Sequence, residues 1–595
     1  MPAIDRDEAR FAQASRQMLN APNWEAWVVP RIQDRPRLNK PPLIYWTQAG
    51  SASVFTGRLF GTPGDVAAER DAIWMYRLPS LLAAIAAVLF TWRLGCSMFD
   101  SRAAFLGAML LAASPIMIWE SRQARSDMLL VACTTGAMWM LWEGFKCSRA
   151  KKPMPTHQWI GLWLFLGMGA MTKGPITAVV VLLTTLGVSF LTRSWRWTGT
   201  LRPFVGAIIV EACVIPWILL VIDIVTWKHY WNIIEDEIFK RMQEAAESHG
   251  GPPGYHVILM VVLLGAGSML VWPALWRAVR VGLTNKSTGN WFTRLWSVRL
   301  RRAPEAFLLC WIVLPWIIFE LSRTKLPHYT MPMYPAIALL AGRMVLAADS
   351  GKHAFRFPRL IKALTGIWAG VMALCVFVLG MFATFAALRA WGQIPSMVVG
   401  AVFTMAAFVL AWKAISFHAR GQWLYLQRTG IAMGVAFSLA IGVAGSIMPD
   451  IRVSRNLAEK LETIDPSHLR PIIAVEYEES EPGARDHGGF VEDSLIYETR
   501  GRVERHNGKD FEKWIESYPT GLVCIEDRAL RRYAGVKQPP KRSILDRTPS
   551  AEPDFPASDT VGRLRILGRV DGFNYSKGKL VKVYVAEVIG PQGNP

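Results

Sequence analysis

Residues 363–388 read ALTGIWAGVMALCVFVLGMFATFAAL and carry no charged side chain. At about 1.5 Å per residue, a helix of this run is long enough to cross the ~30 Å hydrocarbon core of a bilayer. Scanning outward for runs of about 18–22 apolar residues adds spans near 76–95, 103–120, 127–144, 158–172, 174–192, 203–222, 255–273, 305–322, 329–347, 396–414 and 429–448, about twelve in all. Bulk composition agrees. The chain has 595 residues, 52% hydrophobic and 19% charged, with 26 Trp and 24 Met, and a mean hydropathy of +0.23. A soluble domain carries roughly 25% charged residues, so composition excludes a disordered chain and argues against a purely soluble one.

The net charge of +20, from 66 Lys+Arg against 46 Asp+Glu, would suggest nucleic acid in a soluble protein. Here the basic residues are spread through successive loops between apolar runs instead of forming one interleaved patch, which sets nucleic-acid binding aside. Every second loop collects them: Lys146, Arg149, Lys151 and Lys152; Arg193, Arg196 and Arg202; Arg277, Arg280, Lys286, Arg294, Arg299, Arg301 and Arg302; Lys352, Arg356, Arg359 and Lys362; Lys413, Arg420 and Arg428. The positive-inside rule makes these loops cytoplasmic. The opposite side then holds residues 1–75, the loop around 121–126, the long loop 223–254, the turn 323–328 and everything after about 449. Of the seven cysteines, Cys96, Cys133, Cys213, Cys310 and Cys375 lie in or beside apolar runs. Cys147 sits in a basic loop and Cys524 in a polar region, so no disulfide framework is expected.

Residues 1–75 form an extracytoplasmic loop with no span or signal sequence to carry it across, so a further helix is expected ahead of residue 1, Met1 standing at an internal position. Translocation by the first span alone is the alternative. The segment reads as amphipathic surface, one or two helices along the outer face, with Phe11, Ala14, Ser15 and Met18 at helical spacing and Trp24, Trp27, Tyr45 and Trp46 suited to the bilayer interface. Residues 76–448 make the transmembrane domain. From 449 to 595 the chain turns polar, with period-two patterns at Ile472–Val475, Leu522–Ile525 and Val581–Val588 and helical ones at Asn456–Ile464 and Asp510–Tyr518. A small α/β domain is expected there. Residues 538–560, rich in Pro, Ser and Asp, read as a loop within it.

An ionisable residue at or near a span is a functional candidate, because a charge in hydrocarbon costs several kcal/mol unless paired or wet. Asp7, Glu8, Arg10, Lys40, Asp127, Lys173, Arg323, Lys325 and His328 all fall on the extracytoplasmic side of this topology. A carboxylate there can take a hydroxyl proton, while Lys, Arg and His hold a phosphate and stabilise the charge that grows on it as it leaves. That pairing fits glycosyl transfer from a lipid-linked sugar phosphate. For each charge alone, simple solvation at a helix end is the blander reading.

The segment Asp5-Arg6-Asp7-Glu8-Ala9-Arg10-Phe11-Ala12, then Trp24, Pro30 and Asn39-Lys40-Pro41-Pro42-Leu43-Ile44-Tyr45-Trp46, resembles the first outer loop of the protein mannosyltransferase and aminoarabinose transferase superfamily. Tyr76-Arg77-Leu78-Pro79-Ser80, Ala124-Arg125-Ser126-Asp127-Met128-Leu129-Leu130, Thr172-Lys173-Gly174-Pro175 and Lys325-Leu326-Pro327-His328-Tyr329, with Pro332 and Pro335 beyond, are similar to bacterial members. The resemblance runs through most of residues 5–347 in order. It implies a GT-C fold, an α-helical polytopic membrane protein with a C-terminal extracytoplasmic domain, and transfer of a sugar from a polyprenyl-phosphate donor. By position it implies catalytic roles for Asp7, as general base toward the acceptor hydroxyl, for its neighbour Glu8, and for Asp127, the second acidic residue. An N-terminal helix cap is the other reading of Asp127, because Ser126-Asp127 opens an apolar run.

Lys40 matches the family lysine that engages the lipid phosphate or the Asp7 carboxylate; an interfacial lysine reaching headgroups is its bland counterpart. Arg10, Lys173, Arg323, Lys325, His328 and Tyr329 complete the expected substrate-binding set. No cofactor is obligatory, since a few fixed positive charges suffice for the leaving group. A divalent metal is not supported: some aminoarabinose transferases carry glutamate just before the lysine, where this chain has Asn39, and His249 and His256 lack ligand spacing. Glu244 and Glu247 line the site or belong to a solvated helix.

The tail segment Ser494-Leu495-Ile496-Tyr497, followed by Gly501-Arg502-Val503, is similar to a strand-and-turn segment of bacterial members, serving acceptor selection or packing alone. The expected partners are the lipid-linked donor, an extracytoplasmic acceptor (lipid A, protein or envelope glycan) and membrane lipids, in the bacterial inner membrane. A transporter or flippase of a lipid-linked substrate is the competing class; the lack of internal repeats and the placement of the charges at helix ends speak against it.

Overall fold

The computed structural model describes residues 3, 6–57, 71–235, 251–284, 290, 296–351, 355, 357–477, 488–535, 555–556, 559–574 and 579–589. Asp5, Glu244, Glu247, His249, Lys286, Arg294, Lys352, Arg356 and most of 538–560 lie outside them. The chain divides into two compact units, one of residues 17–384 and 397–441, the other of residues 1–16, 385–396 and 442–595.

Among the described residues, eight helices are long and apolar enough to cross a membrane: Ile73–Met98, Asp127–Arg149, Pro203–Val225, Ala303–Leu321, Pro327–Asp349, Pro358–Trp391, Gln393–Ala419 and Trp423–Ile447. Their exposed faces carry Phe204, Ile208, Leu219, Ile367, Phe408 and Ile415, apolar surface that lipid, not water, accommodates. The other expected spans are shorter or bent. The run 103–120 becomes Ser101–Ala112 and Pro115–Glu120, because Pro115 has no N–H to continue the ladder; Ser114 Oγ donates to Leu111 O at 2.7 Å across the break. The run 255–273 becomes a pair bent by 90°. The α-helix ends at Leu264, Gly265 (φ +49°, which suits glycine) opens a 3-10 turn through Ser268, and the bend falls between Ser268 and Val271. Two carbonyls freed there are recovered by neighbouring helices, Gly265 O by Trp368 Nε1 at 3.2 Å and Ala266 O by Gln427 Nε2. The runs 158–172 and 174–192 are the helices Thr156–Lys173 and Ile176–Thr192.

Small residues let these helices meet backbone to backbone. A Cβ built on Gly342 would lie 2.7 Å from Gly107 N and 3.1 Å from Ala103 O, atoms of the facing Ser101–Ala112 helix that have no rotamer to escape into. Gly342→Ala is expected to cost about 1–3 kcal/mol, read as a lower Tm in detergent; an unchanged Tm would show that this approach is loose.

The helix Arg6–Asn20 is buried on most of its sides instead of lying as an amphipathic surface. In the helix Arg6–Asn20 the residues Ala9, Phe11, Ala12, Ala14, Ser15 and Met18 are all buried, together with Glu8, Gln13 and Arg16. Three helices, Arg6–Asn20, Glu25–Val28 and Leu43–Thr56, and a two-stranded hairpin, Arg31–Ile32 with Arg35–Pro36, occupy the described part of 1–75, one helix more than expected. In the 17–384 unit, Trp46 Nε1 donates to Trp27 O at 2.7 Å and Trp217 Nε1 to Val28 O at 2.9 Å, so these tryptophans are structural ties as much as interfacial groups.

Residues 453–588 build a mixed sheet. Ile472–Tyr477 pairs in parallel with both Val503–Asn507 and Leu522–Glu526, which continues antiparallel through Lys579–Val588 to Leu564–Asn574. Period two sorts the side chains onto two faces. Ile472, Ala474, Leu522, Cys524, Val583 and Val585 meet the helices Val453–Ile464 and Asp493–Glu498. Ile473, Val475, Val523, Ile525, Tyr584 and Ala586 meet Phe511–Ser517 and Asp527–Tyr533. The segment read as strand at Ser494–Tyr497 is instead the helix Asp493–Glu498. Its end explains why: Arg500 (φ 57°) and Gly501 (φ 85°) are left-handed, and Gly501 N–H donates back to Ile496 O at 2.7 Å, a helix stop written in the Gly.

Candidate active site

Asp127 opens the helix Asp127–Arg149. Among the described residues Ser126 makes no side-chain cap bond to it, and the Asp127 carboxylate is taken by side chains from other elements. Lys173 Nζ donates to Oδ1 at 2.5 Å, His328 Nε2 lies 3.6 Å from the same oxygen, and Arg125 Nε lies 3.7 Å from Oδ2. Arg125 also reaches Glu120 Oε1 at 3.4 Å, and its carbonyl accepts from Ser80 Oγ at 2.9 Å.

Each member is placed by its local sequence. Lys173 is the last residue of Thr156–Lys173, which Gly174 (φ 67°) and Pro175 terminate; a cation is favoured at that negative helix end. His328 is buried in the 3-10 segment Pro327–Met333, where the prolines stop a regular helix from forming sooner. The Tyr329 ring packs edge-on to His328 at 5.3 Å, with Lys173 Nζ 5.8 Å from its centroid.

The turn 322–328 feeds a second cluster. Glu320, at the end of Ala303–Leu321, accepts from Gly254 N–H at 2.8 Å and from Lys325 Nζ at 3.2 Å, and His256 Nδ1 is 3.2 Å from its Oε2. Lys325 Nζ also donates to Pro252 O at 3.3 Å, and His256 Nε2 sits 3.2 Å from Leu326 O. These bonds clamp residues 251–256, the end of the long loop 223–254 and the start of the next helix, to the turn. Arg323 is exposed at the same turn. Lys40 is half-buried in the turn that leads into Leu43–Thr56.

Asp7, Glu8 and Arg10 lie on Arg6–Asn20 in the unit that includes the C-terminal domain. Glu8 is buried and Asp7 half-exposed. Arg10 Nη1 donates to Asp7 Oδ1 at 3.4 Å and its Nε to Asp493.

The structure thus gathers Asp127, Lys173, His328 and Tyr329, and places Lys325 in the neighbouring clamp. Sequence reading passed over Arg125, Glu120, Glu320 and the pairing of His256. Glu320 had a usable signal, a carboxylate near the end of the apolar run 305–322, fifteen residues from the other one, Glu305. The polar groups share the helix ends opposite Lys146, Arg149, Arg193 and Arg302, which flank the other ends of the same helices. Among the described residues no three of His, Cys, Asp and Glu converge to hold a metal ion.

Residues 39–220 match the family model described as dolichyl-phosphate-mannose-protein mannosyltransferase. The chain is 25% identical over 459 residues to the undecaprenyl phosphate-alpha-4-amino-4-deoxy-L-arabinose arabinosyl transferase of Edwardsiella ictaluri, covering 74% of this chain and 73% of that one. It is 25% identical to that of Erwinia tasmaniensis, covering 86% and 87%. Its fold is similar to the crystal structure of ArnT from Cupriavidus metallidurans bound to undecaprenyl phosphate, with a TM-score of 0.67 at 17% identity over 98% of this chain and 95% of that one. The fold similarity and the apolar helices together make the chain a multi-pass membrane protein with the polytopic GT-C fold. Within that fold the chain is similar to the aminoarabinose transferases and, over residues 39–220, to the protein mannosyltransferases.

Proposed function

We propose that the protein transfers 4-amino-4-deoxy-L-arabinose, or a closely related aminosugar, from undecaprenyl phosphate to lipid A, with inversion, on the periplasmic side of the membrane. The observation that carries the reading is the buried Asp127–Lys173–His328 cluster, at helix ends away from the basic loops, in a chain whose relatives are named undecaprenyl phosphate-alpha-4-amino-4-deoxy-L-arabinose arabinosyl transferases. The acceptor hydroxyl oxygen attacks the anomeric carbon as the bond from that carbon to the phosphate oxygen breaks. Asp7 takes the hydroxyl proton, and Glu8 shares or orients it. The polyprenyl phosphate leaves with its added charge held by cations.

Lys173 is suited to that task. An ammonium has three N–H groups; Asp127 takes one and aims the others, while His328 and Tyr329 border the same space. Lys40, Lys325, Arg323 and Arg10 are secondary ligands in this scheme, with Lys325 and Arg10 acting chiefly through the carboxylates that they already bind. Because these groups supply the positive charge, the scheme needs no divalent metal.

The test is transfer in proteoliposomes from a panel of radiolabelled undecaprenyl-phosphate sugars to purified lipid A. Aminoarabinosyl lipid A, formed with donor outside the vesicles and insensitive to EDTA, is the expected product. Movement of the lipid-linked sugar across the bilayer with no acceptor modified would instead make the protein a flippase.

A further inference from the structure

The helix that bears Asp7 and Glu8 is held by a short piece of the C-terminal domain, Asp493–Gly501. Three contacts line up along it. The backbone N–H of Ala3 bonds to the Glu498 carboxylate. Arg10 Nε donates to Asp493, and Arg16 Nη1 donates to Tyr497 O at 2.7 Å while its guanidinium lies 4.0 Å over the Tyr497 ring. Residues 10 and 16 are about 9 Å apart along a helix, so Asp7 and Glu8 sit between the first contact and the other two. The turn that ends the short helix packs here too: a Cβ on Gly501 would lie 3.3 Å from Gln13 Nε2.

Asp493 is the key member. Its carboxylate is buried, and it receives Arg10 on one oxygen and Arg505, from the strand Val503–Asn507, on the other. Two guanidiniums on one buried carboxylate form a rigid fork. Arg10 in turn presents Nη1 to Asp7 Oδ1 at 3.4 Å. At the end of the same short helix Glu498 is mostly desolvated; burial pushes its carboxyl above the ordinary range, with Arg455 and Arg16 opposing that shift.

The geometry points to Asp493 as a positioning residue for the transfer reaction: through Arg10 it sets the orientation and charge environment of Asp7, which makes the C-terminal domain part of the catalytic apparatus. The assignment rests on the reading of Asp7 as general base. A carboxylate base misplaced by about 1 Å loses up to ~10²-fold in rate, and a guanidinium no longer fixed by Asp493 has that freedom.

The experiment compares Asp493→Asn, Asp493→Glu, Arg10→Lys and Asp7→Asn, singly and with Asp493→Asn placed in the Asp7→Asn background, using full-length protein in proteoliposomes. Asp493→Asn is expected to lower kcat by about 10- to 100-fold while donor KM stays within about twofold. Asp493→Glu should recover part of the rate. In the Asp7→Asn background the same substitution should cause no further loss, because its effect passes through Asp7. A merely structural role predicts the opposite, an equal further loss in that background with lowered Tm. That result, or a silent Asp493→Asn, overturns the positioning role and leaves the base intact. If Asp7→Asn itself is silent, the base assignment falls and this inference with it. Arg10→Lys keeps the charge but not the fork, so it should reproduce the kcat loss at unchanged Tm even if Asp493→Asn fails to fold; wild-type kcat in Arg10→Lys would equally overturn the proposal.

Discussion

Asp7→Asn is expected to lower kcat for sugar transfer by about 10²- to 10⁴-fold, the range for removing a positioned general base, without removing the protein from the membrane. Asn has the shape of Asp and still accepts a hydrogen bond from Arg10, so the helix Arg6–Asn20, buried through Phe11, Ala12, Ala14 and Met18, should keep its packing. What is lost is the capacity to take the acceptor's proton. Donor KM should stay near the wild-type value, because the phosphate cations are elsewhere in the sequence. Glu8→Gln is the informative companion. Glu8 is fully buried, so a large loss accompanied by a fall in Tm would mark it as structural, and a loss confined to kcat would mark it as sharing the proton. A wild-type rate in Asp7→Asn would remove the general base from the scheme.

The membrane architecture was legible because its cause is local: an uncharged run such as 363–388 has one stable solution in lipid, and it needs no knowledge of neighbours. The same locality explains the strands at Ile472–Tyr477, Leu522–Glu526 and Lys579–Val588, where period two shows directly which residues face which layer. The reading was weaker wherever a partner far along the chain decides. A straight span through 255–273 is what hydropathy gives. The structure has a 90° bend there, beside which the distant Trp368 and Gln427 take the carbonyls of Gly265 and Ala266.

Polar partners were hidden in the same way. Asp127 and Lys173 were each visible as ionisable residues at apolar boundaries, but their pairing spans 46 positions and no pattern of spacing encodes it. Arg10 looked like a ligand for substrate because its buried counter-charge, Asp493, lies 483 residues on. At Ser494–Tyr497 the apolar residues are too few to show a period. The decisive signal is the left-handed stop at Arg500-Gly501, of which only Gly501 belongs to the turn Gly501-Arg502-Val503 that the sequence suggests.

The pairing of Asp127 with Lys173 leads to a result in which stability and binding move apart. Asp127→Asn leaves Lys173, largely buried, without the charge that balances it, while Arg125 keeps Glu120, at a cost of about 3–5 kcal/mol. Lys173→Met removes a cation instead, and Asp127 retains His328 and Arg125 nearby, so the stability loss should be smaller. The double variant should be more stable than Asp127→Asn alone, because it no longer buries the uncompensated ammonium. Binding of undecaprenyl phosphate should follow another order. In Asp127→Asn the freed cations are open to a phosphate, so the lipid should bind at least as tightly as in wild type and raise Tm by mass action. In Lys173→Met a charge-assisted hydrogen bond worth about 1.5–3 kcal/mol is gone, which corresponds to roughly 10- to 150-fold weaker binding. Thermal shift against lipid concentration measures both quantities in one series. Equal affinity in wild type and Lys173→Met would leave Asp127 and Lys173 a structural pair, and the phosphate would then have to be held by Lys40, Lys325 or Arg323.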